Sequence, residues 1–200
     1  MTLSRIIAFA AAASAAWAVP ASAQDSATMQ DEVVVTAGSA ENASGRVAVN
    51  IVAGSGNQQA GAAAIANGEA ALVGLSLDQV MDSPVGGDRA TSIAIQSRAF
   101  AGLEGMASIN VTAGQGNQSA NLAALAIGTG ALTDMALSQS RAPTGSSEVL
   151  GTDLNPGNDT LNIADDAFLG GSGLLQVNLV GGERNSSANT FALSVSGSGQ

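Results

Sequence analysis

The residues of this chain that can do chemistry are amides and glycines, and they return at fixed spacing. Gly45-Arg-Val-Ala-Val-Asn50-Ile-Val-Ala-Gly54-Ser-Gly-Asn57-Gln58 recurs as Gly105-Met-Ala-Ser-Ile-Asn110-Val-Thr-Ala-Gly114-Gln-Gly-Asn117-Gln118. A third copy reads Gly173-Leu-Leu-Gln-Val-Asn178-Leu-Val-Gly-Gly182-Glu-Arg-Asn185-Ser186. A repeat of this kind predicts one structural unit stacked on the next. Stacked parallel strands lie about 4.7–4.8 Å apart, so identical side chains fall in columns. An asparagine amide both donates and accepts, and a column of them hydrogen-bonds along the stack. Asn50, Asn110 and Asn178 are expected to form one such ladder. Asn57, Asn117 and Asn185 are expected to form a second, extended by Gln58 and Gln118. The glycines of the frame permit positive φ at the corners and leave no Cβ to strike the unit above.

Other chemistry is poorly supplied. The chain has no His, Cys, Tyr or Lys, so the usual general bases, nucleophiles and thiolate ligands are missing. Asp165 and Asp166 are adjacent and would point to opposite faces of a strand, which suits a solvated turn better than a catalytic pair. The inventory argues against an enzyme and calls for no cofactor. Asp153, Asn155 and Asp159 offer the hard oxygen ligands that calcium prefers. They lack the EF-hand order, since Gly157 stands at the fifth position and Ala164 where the bidentate Glu belongs. An Asn-Pro-Gly turn accounts for the same residues.

The elements that position the repeated amides are short strands. Val33/Val35, Val47/Val49/Ile51, Ile93/Ile95, Leu161/Ile163 and Phe191/Leu193/Val195 alternate with small or polar residues, a period near 2. Gly-rich corners separate the runs. The alanine-rich stretches 60–66 and 120–126 suit helix or strand by propensity. The third copy, Thr190-Phe-Ala-Leu-Ser-Val-Ser196, has no helical period and decides for strand. No charged residue falls within 47–67 or 106–133; stacking like charges in register would cost stability. The predicted fold is therefore all-β, a repeat β-solenoid or cross-β stack of strand-turn-strand units. Its expected divisions are an N-terminal tail 24–30, full units 31–90 and 91–158, and a shorter unit 159–200.

Residues 1–23 read as a secretory signal: Arg5, an apolar run 6–19, and an Ala21-Ser22-Ala23 cleavage site. The run is too short to span a bilayer, and no membrane insertion is expected. All six cations are arginines against sixteen acids, a formal net charge of −10. Such a balance disfavours nucleic acid, which demands clustered cations. Small side chains predominate and aromatics are 2% of residues, which suits thin layers better than a thick globular core.

The frame resembles the repeats of the Fap functional amyloids, fibre-forming surface proteins of Gram-negative bacteria. Val49-Asn50-Ile-Val-Ala-Gly54-Ser-Gly-Asn57-Gln58-Gln59-Ala60 carries the resemblance, with Asn121 and Asn189 closing the later copies. The Ala-Phe-x-Gly-x-x-Gly stretches at 99–105 and 167–173 are similar too. The Gly-x-Gly-Asn corners resemble curli repeats more loosely. The resemblance implies self-association into fibres of a biofilm matrix, an outer-membrane secretion pore, and related fibre subunits as partners. The C-terminal Cys-x-Cys associated with the family's major subunit is absent, so main subunit, minor subunit, nucleator and related surface protein all stay open. The expected function is that of a secreted protein forming or nucleating cell-surface amyloid-like fibres. A soluble β-solenoid adhesin, calcium-stabilised or not, and a periplasmic chaperone of a fibre subunit are the alternatives.

Overall fold

The computed structural model describes residues 30–81, 89–141 and 158–197. Two units contribute four strands each: β1 (Gln30–Val35), β2 (Ser44–Ala53), β3 (Gln58–Asn67) and β4 (Leu72–Met81), then β5 (Ala90–Ile95), β6 (Glu104–Ala113), β7 (Gln118–Ile127) and β8 (Leu132–Arg141). The last unit contributes β9 (Thr160–Ile163), β10 (Ser172–Val180) and β11 (Ser186–Val195). Among the described residues no strand bonds to its neighbour in sequence. Each bonds to its counterpart in the next unit, parallel and in register, giving sheets β1-β5-β9, β2-β6-β10, β3-β7-β11 and β4-β8. Asn110 lies between Asn50 and Asn178, and Gln79 lies against Gln139. Each unit is thus one rung of a stack, as the repeat and its period of 2 predict, and the all-β stacked reading holds.

Within a rung the chain folds back and forth, so consecutive strands occupy successive sheets and face each other through their side chains. The turns ladder as well as the strands. Between β1 and β2, the Ala40 and Asn42 amides donate to the Ala99 and Ala101 carbonyls, and those of Phe100 and Gly102 donate to Ala167 and Leu169.

The three spaces between the four sheets have different chemistries. Val33, Val35, Ile93 and Ile95 of the first sheet meet Ala107, Ile109, Val111 and Ala113 of the second in a dry core, closed by Phe100 and Leu103 from the turn. Phe100 and Phe168 stack one rung apart, with centroids 5.3 Å apart. The second and third sheets face each other through Ser108, Asn110 and Thr112 against Ser119 and Asn121, all buried. The third and fourth meet through Ala124 and Ala126 against Ala71, Val73 and Ala131.

The middle rung is therefore buried on both faces. Ile109, Asn110, Val111 and Thr112 are each 0% exposed, although they alternate apolar and polar. Along β6 the alternation sorts residues between two buried layers rather than between core and water. Parallel sheets covered on both sides permit this.

Candidate functional site: the amide columns and glycine corners

The central column is built at the facing surfaces of the second and third sheets. Asn178 Nδ2 donates to Asn110 Oδ1 at 3.0 Å, and Asn110 Nδ2 donates to Asn50 Oδ1 at 2.8 Å. A second column stands opposite on the third sheet, where Asn189 Nδ2 donates to Asn121 Oδ1 at 3.0 Å. The two are cross-linked. Asn121 donates to Asn110 Oδ1, Asn178 donates to Asn121 Oδ1, and Asn189 and Ser187 donate to Asn178 Oδ1. The same amides also donate to backbone carbonyls, as Asn110 does to Ala60 and Asn178 to Ala120. A buried amide left unpartnered costs about 1–3 kcal/mol, so pairing of the asparagine amides is what lets a polar layer stand inside the stack, although the buried Ser108 hydroxyl beside them has no partner.

Asn57, Asn117 and Asn185 are arranged differently from the side-chain ladder expected of them. Asn117 N donates to Asn57 Oδ1 at 2.9 Å, and Asn185 N donates to Asn117 Oδ1 at 2.8 Å. In the other direction Asn57 Nδ2 donates to Gly114 O and Asn117 Nδ2 to Gly182 O, both at 2.8 Å. These asparagines sit where the β2–β3 type of turn meets the next strand. There the amide reaches the backbone carbonyl of the neighbouring rung. Asn57 and Asn117 each clip the turn of their own rung to the turn above, while Asn185 Nδ2, in the last rung, donates to Gly181 O of its own turn at 2.8 Å.

Glutamines form columns near the same edge. Gln118 Nε2 donates to Gln58 Oε1 at 3.1 Å and also to the Gln79 and Ser140 carbonyls. Gln139 Nε2 donates to Gln79 Oε1 at 2.7 Å, and Ser186 Oγ donates to Gln139 Oε1. The Asn121/Asn189 and Gln79/Gln139 columns go beyond those expected from the sequence. Their signal is present there, since Gln79 and Gln139 share the repeat spacing and Asn121 and Asn189 share a position in the frame.

The six corner glycines form two columns of positive φ, running from 85° at Gly182 to 114° at Gly114. A Cβ on Gly54 would lie 1.9 Å from Gly114 O, and one on Gly114 would lie 2.0 Å from Gly182 O. In the other column the direction reverses: a Cβ on Gly105 would lie 2.5 Å from Gly45 O, and one on Gly173 would lie 2.0 Å from Gly105 O. Real side chains do not approach backbone this closely, so the rung spacing itself demands glycine.

Charges lie around this layer, except that the exposed Arg46 donates to Gly61 O at its first-rung end at 2.9 Å. No paired position in the four described sheets stacks like charge on like charge. Arg98 pairs with Glu41, whose hydrogen bond and charge raise the guanidinium pKa further. Arg141 is lowered by burial and by Arg184. Of the calcium candidates, Asp153 and Asn155 lie outside the described residues. Asp159 is exposed and accepts a hydrogen bond from Thr91 Oγ1. Among the described residues no three acids gather into a metal-binding group. No described helix is long and apolar enough to cross a membrane.

Comparison with known proteins agrees with this architecture. No solved structure matches the chain. It is 31% identical over 157 residues to the "Functional amyloid subunit FapC" of Pseudomonas aeruginosa, an alignment covering 75% of this chain and 43% of that protein. The chain thus spans less than half the length of that relative. Residues 12–196 match the family described as "Functional amyloid protein FapB/FapC family". With that match running through all three rungs, the chain belongs to the FapB/FapC family of functional amyloid proteins.

Proposed function

We propose that this protein is an exported structural subunit of amyloid-like cell-surface fibres, in which each copy adds three rungs to a growing cross-β stack. The observation that carries this reading is the amide layer, in which columns of in-register asparagines bond from rung to rung. Such columns are open at both ends by construction, and an open parallel edge is a template for another strand. The membership in a functional amyloid family supports the same reading. The signal-like stretch 1–23 supports export, and the biofilm matrix is the setting that the resemblance implies. The asparagine, glutamine and glycine columns are then the working parts: amides join the rungs and glycines set their spacing. The outer-membrane pore and the related subunits are proposed partners on the strength of the family alone.

The test is assembly of residues 24–200 diluted from denaturant. Sedimentable fibres are expected, with a meridional reflection at about 4.7–4.8 Å and an equatorial one at about 10 Å. A chain that stays monomeric, with sharp size-exclusion behaviour and a β-type circular dichroism spectrum, would replace this reading by a soluble β-solenoid.

A further inference from the structure

Folding the chain back and forth leaves each layer between two sheets closed by a turn at one end and open at the other. Charged and hydroxyl side chains fill the open end of the first layer. Arg89 holds Asp31 there at 2.8 Å, and Thr91 donates to Asp159. Glutamines fill the open end of the third layer, where Gln58 donates to the Val80 carbonyl and Gln118 to those of Gln79 and Ser140. The open end of the middle layer is different. Beyond the asparagines its facing side chains turn apolar.

The register makes two walls of them. Arg46, Met106 and Leu174 share one column on the second sheet. Ile65, Leu125 and Leu193 share the facing column on the third. Together they line a groove of about 560 Å³ along the stack, within the roughly 300–1,000 Å³ of small-ligand clefts. Ile65 is 61% exposed and Leu193 42%, so apolar surface meets water here where the other two mouths are sealed. An exposed apolar track of this kind marks a binding surface.

Its shape and chemistry select the occupant. The track is narrow and runs unbroken over three rungs, about 10 Å from the first to the third. A polypeptide laid along it would find no backbone partners, because the strands of both walls spend theirs within their own sheets, and unpaired amides are costly. An unbranched alkyl chain has no such demand. Arg46 is the one charged residue of the lining and stands at the first-rung end, where Met106 and Leu174 follow in the later rungs. It is exposed, and its Nη2 donates to the Gly61 carbonyl at 2.9 Å. The rest of the guanidinium fork matches a carboxylate. A formal net charge of −10 disfavours an anion elsewhere on the chain.

We propose that this groove binds an anionic amphiphile, an alkyl carboxylate of the fatty-acid type, with its tail along the stack between Met106, Leu174, Leu125 and Leu193 and its head group on Arg46. A tail of roughly ten carbons covers the three rungs. The groove is complete within one chain. The proposal therefore goes beyond the fibre reading and does not depend on it.

Equilibrium dialysis of decanoate, kept below its micelle concentration, against residues 24–200 tests this on monomer or fibre alike. Saturable binding is expected, tightening two- to fourfold per methylene from hexanoate to decanoate, as expected for partly to fully covered methylenes. Arg46→Gln should weaken decanoate about fivefold and leave the uncharged decanol unchanged, the size of an exposed ion pair. Leu193→Asn, at an exposed position of the wall, should weaken both. Absence of binding would overturn the proposal. Decyltrimethylammonium bound as tightly as decanoate, or decanoate indifferent to Arg46→Gln, would overturn the head-group assignment. Binding unchanged in both variants would place the amphiphile elsewhere on the chain and overturn the site. None of these outcomes bears on whether the chain forms fibres, which sedimentation reads separately.

Discussion

Replacing Asn110 by alanine should raise the concentration of soluble chain in equilibrium with fibres about 100-fold. Asn110 is 0% exposed and sits where the two amide columns cross. Its Nδ2 serves Asn50 Oδ1 and the Ala60 carbonyl, and its Oδ1 receives Asn121 and Asn178. Alanine removes all four bonds. Asn121 and Asn178 keep other acceptors, whereas the Ala60 carbonyl loses its side-chain donor and a void opens in a packed layer. Because Asn121 and Asn178 keep other acceptors, the cost is that of the two bonds donated by the Asn110 amide, about 1 kcal/mol each, and of the under-satisfied Ala60 carbonyl at the low end of about 1–3 kcal/mol, a net effect of about 3 kcal/mol. At about 1.4 kcal/mol per tenfold, that is the stated factor. Asn162→Ala is the matched control. Asn162 is exposed on β9 and stacks on Ala94, so its loss should change the soluble concentration by less than about threefold. Centrifugation and assay of the supernatant reads both variants. Equal effects would mean that burial in the amide layer does not decide the outcome.

The second large effect is expected at Gly114. Gly114→Ala should abolish fibre formation at concentrations where the parent assembles completely. Two separate penalties coincide at this residue. Its φ of 114° is strained for any L side chain, and the added Cβ would lie 2.0 Å from Gly182 O. That oxygen belongs to the backbone and is already held by Asn117, so it cannot swing away. Relief requires the second and third rungs to part at this corner, which breaks the register of the strands on either side. Gly74→Ala is the contrast. Gly74 lies in β4, where a Cβ would meet nothing within 4 Å and φ is not positive, so alanine there should leave assembly unchanged. Sedimentation of the two variants side by side separates a demand for glycine at one corner from a general sensitivity of the chain.

The stacked architecture is legible in the sequence because its determinants repeat. Gly45, Gly105 and Gly173 share a frame with Asn50, Asn110 and Asn178, and a frame copied three times reports register directly. Two things are not legible. Strand alternation distinguishes two faces but not what covers them. In β6 both faces are buried, and only the order of the four sheets reveals that Asn110 points into an amide layer while Ile109 points into an apolar one. The turn asparagines depart from expectation for a related reason. A column of identical residues in sequence suggests side chain bonded to side chain. The choice between a neighbouring amide and a neighbouring carbonyl depends on where the turn backbone runs, and Asn57 and Asn117 reach the carbonyl. The Asn121/Asn189 pair is legible as a shared frame position, and Gly61, which occupies that position in the first rung, limits the column to two members.

In a fibre, one chain is expected to occupy three successive layers of the stack rather than one. Mass per unit length, measured on single unbundled filaments by electron microscopy, decides this. Three rungs at about 4.7–4.8 Å spread one chain over roughly 14 Å of filament. The expected value is one chain mass per that length. A value three times larger, one chain for every ~4.8 Å, would mean that identical segments of different chains stack on each other. That result would contradict the pairing of Asn50 with Asn110 and of Asn110 with Asn178.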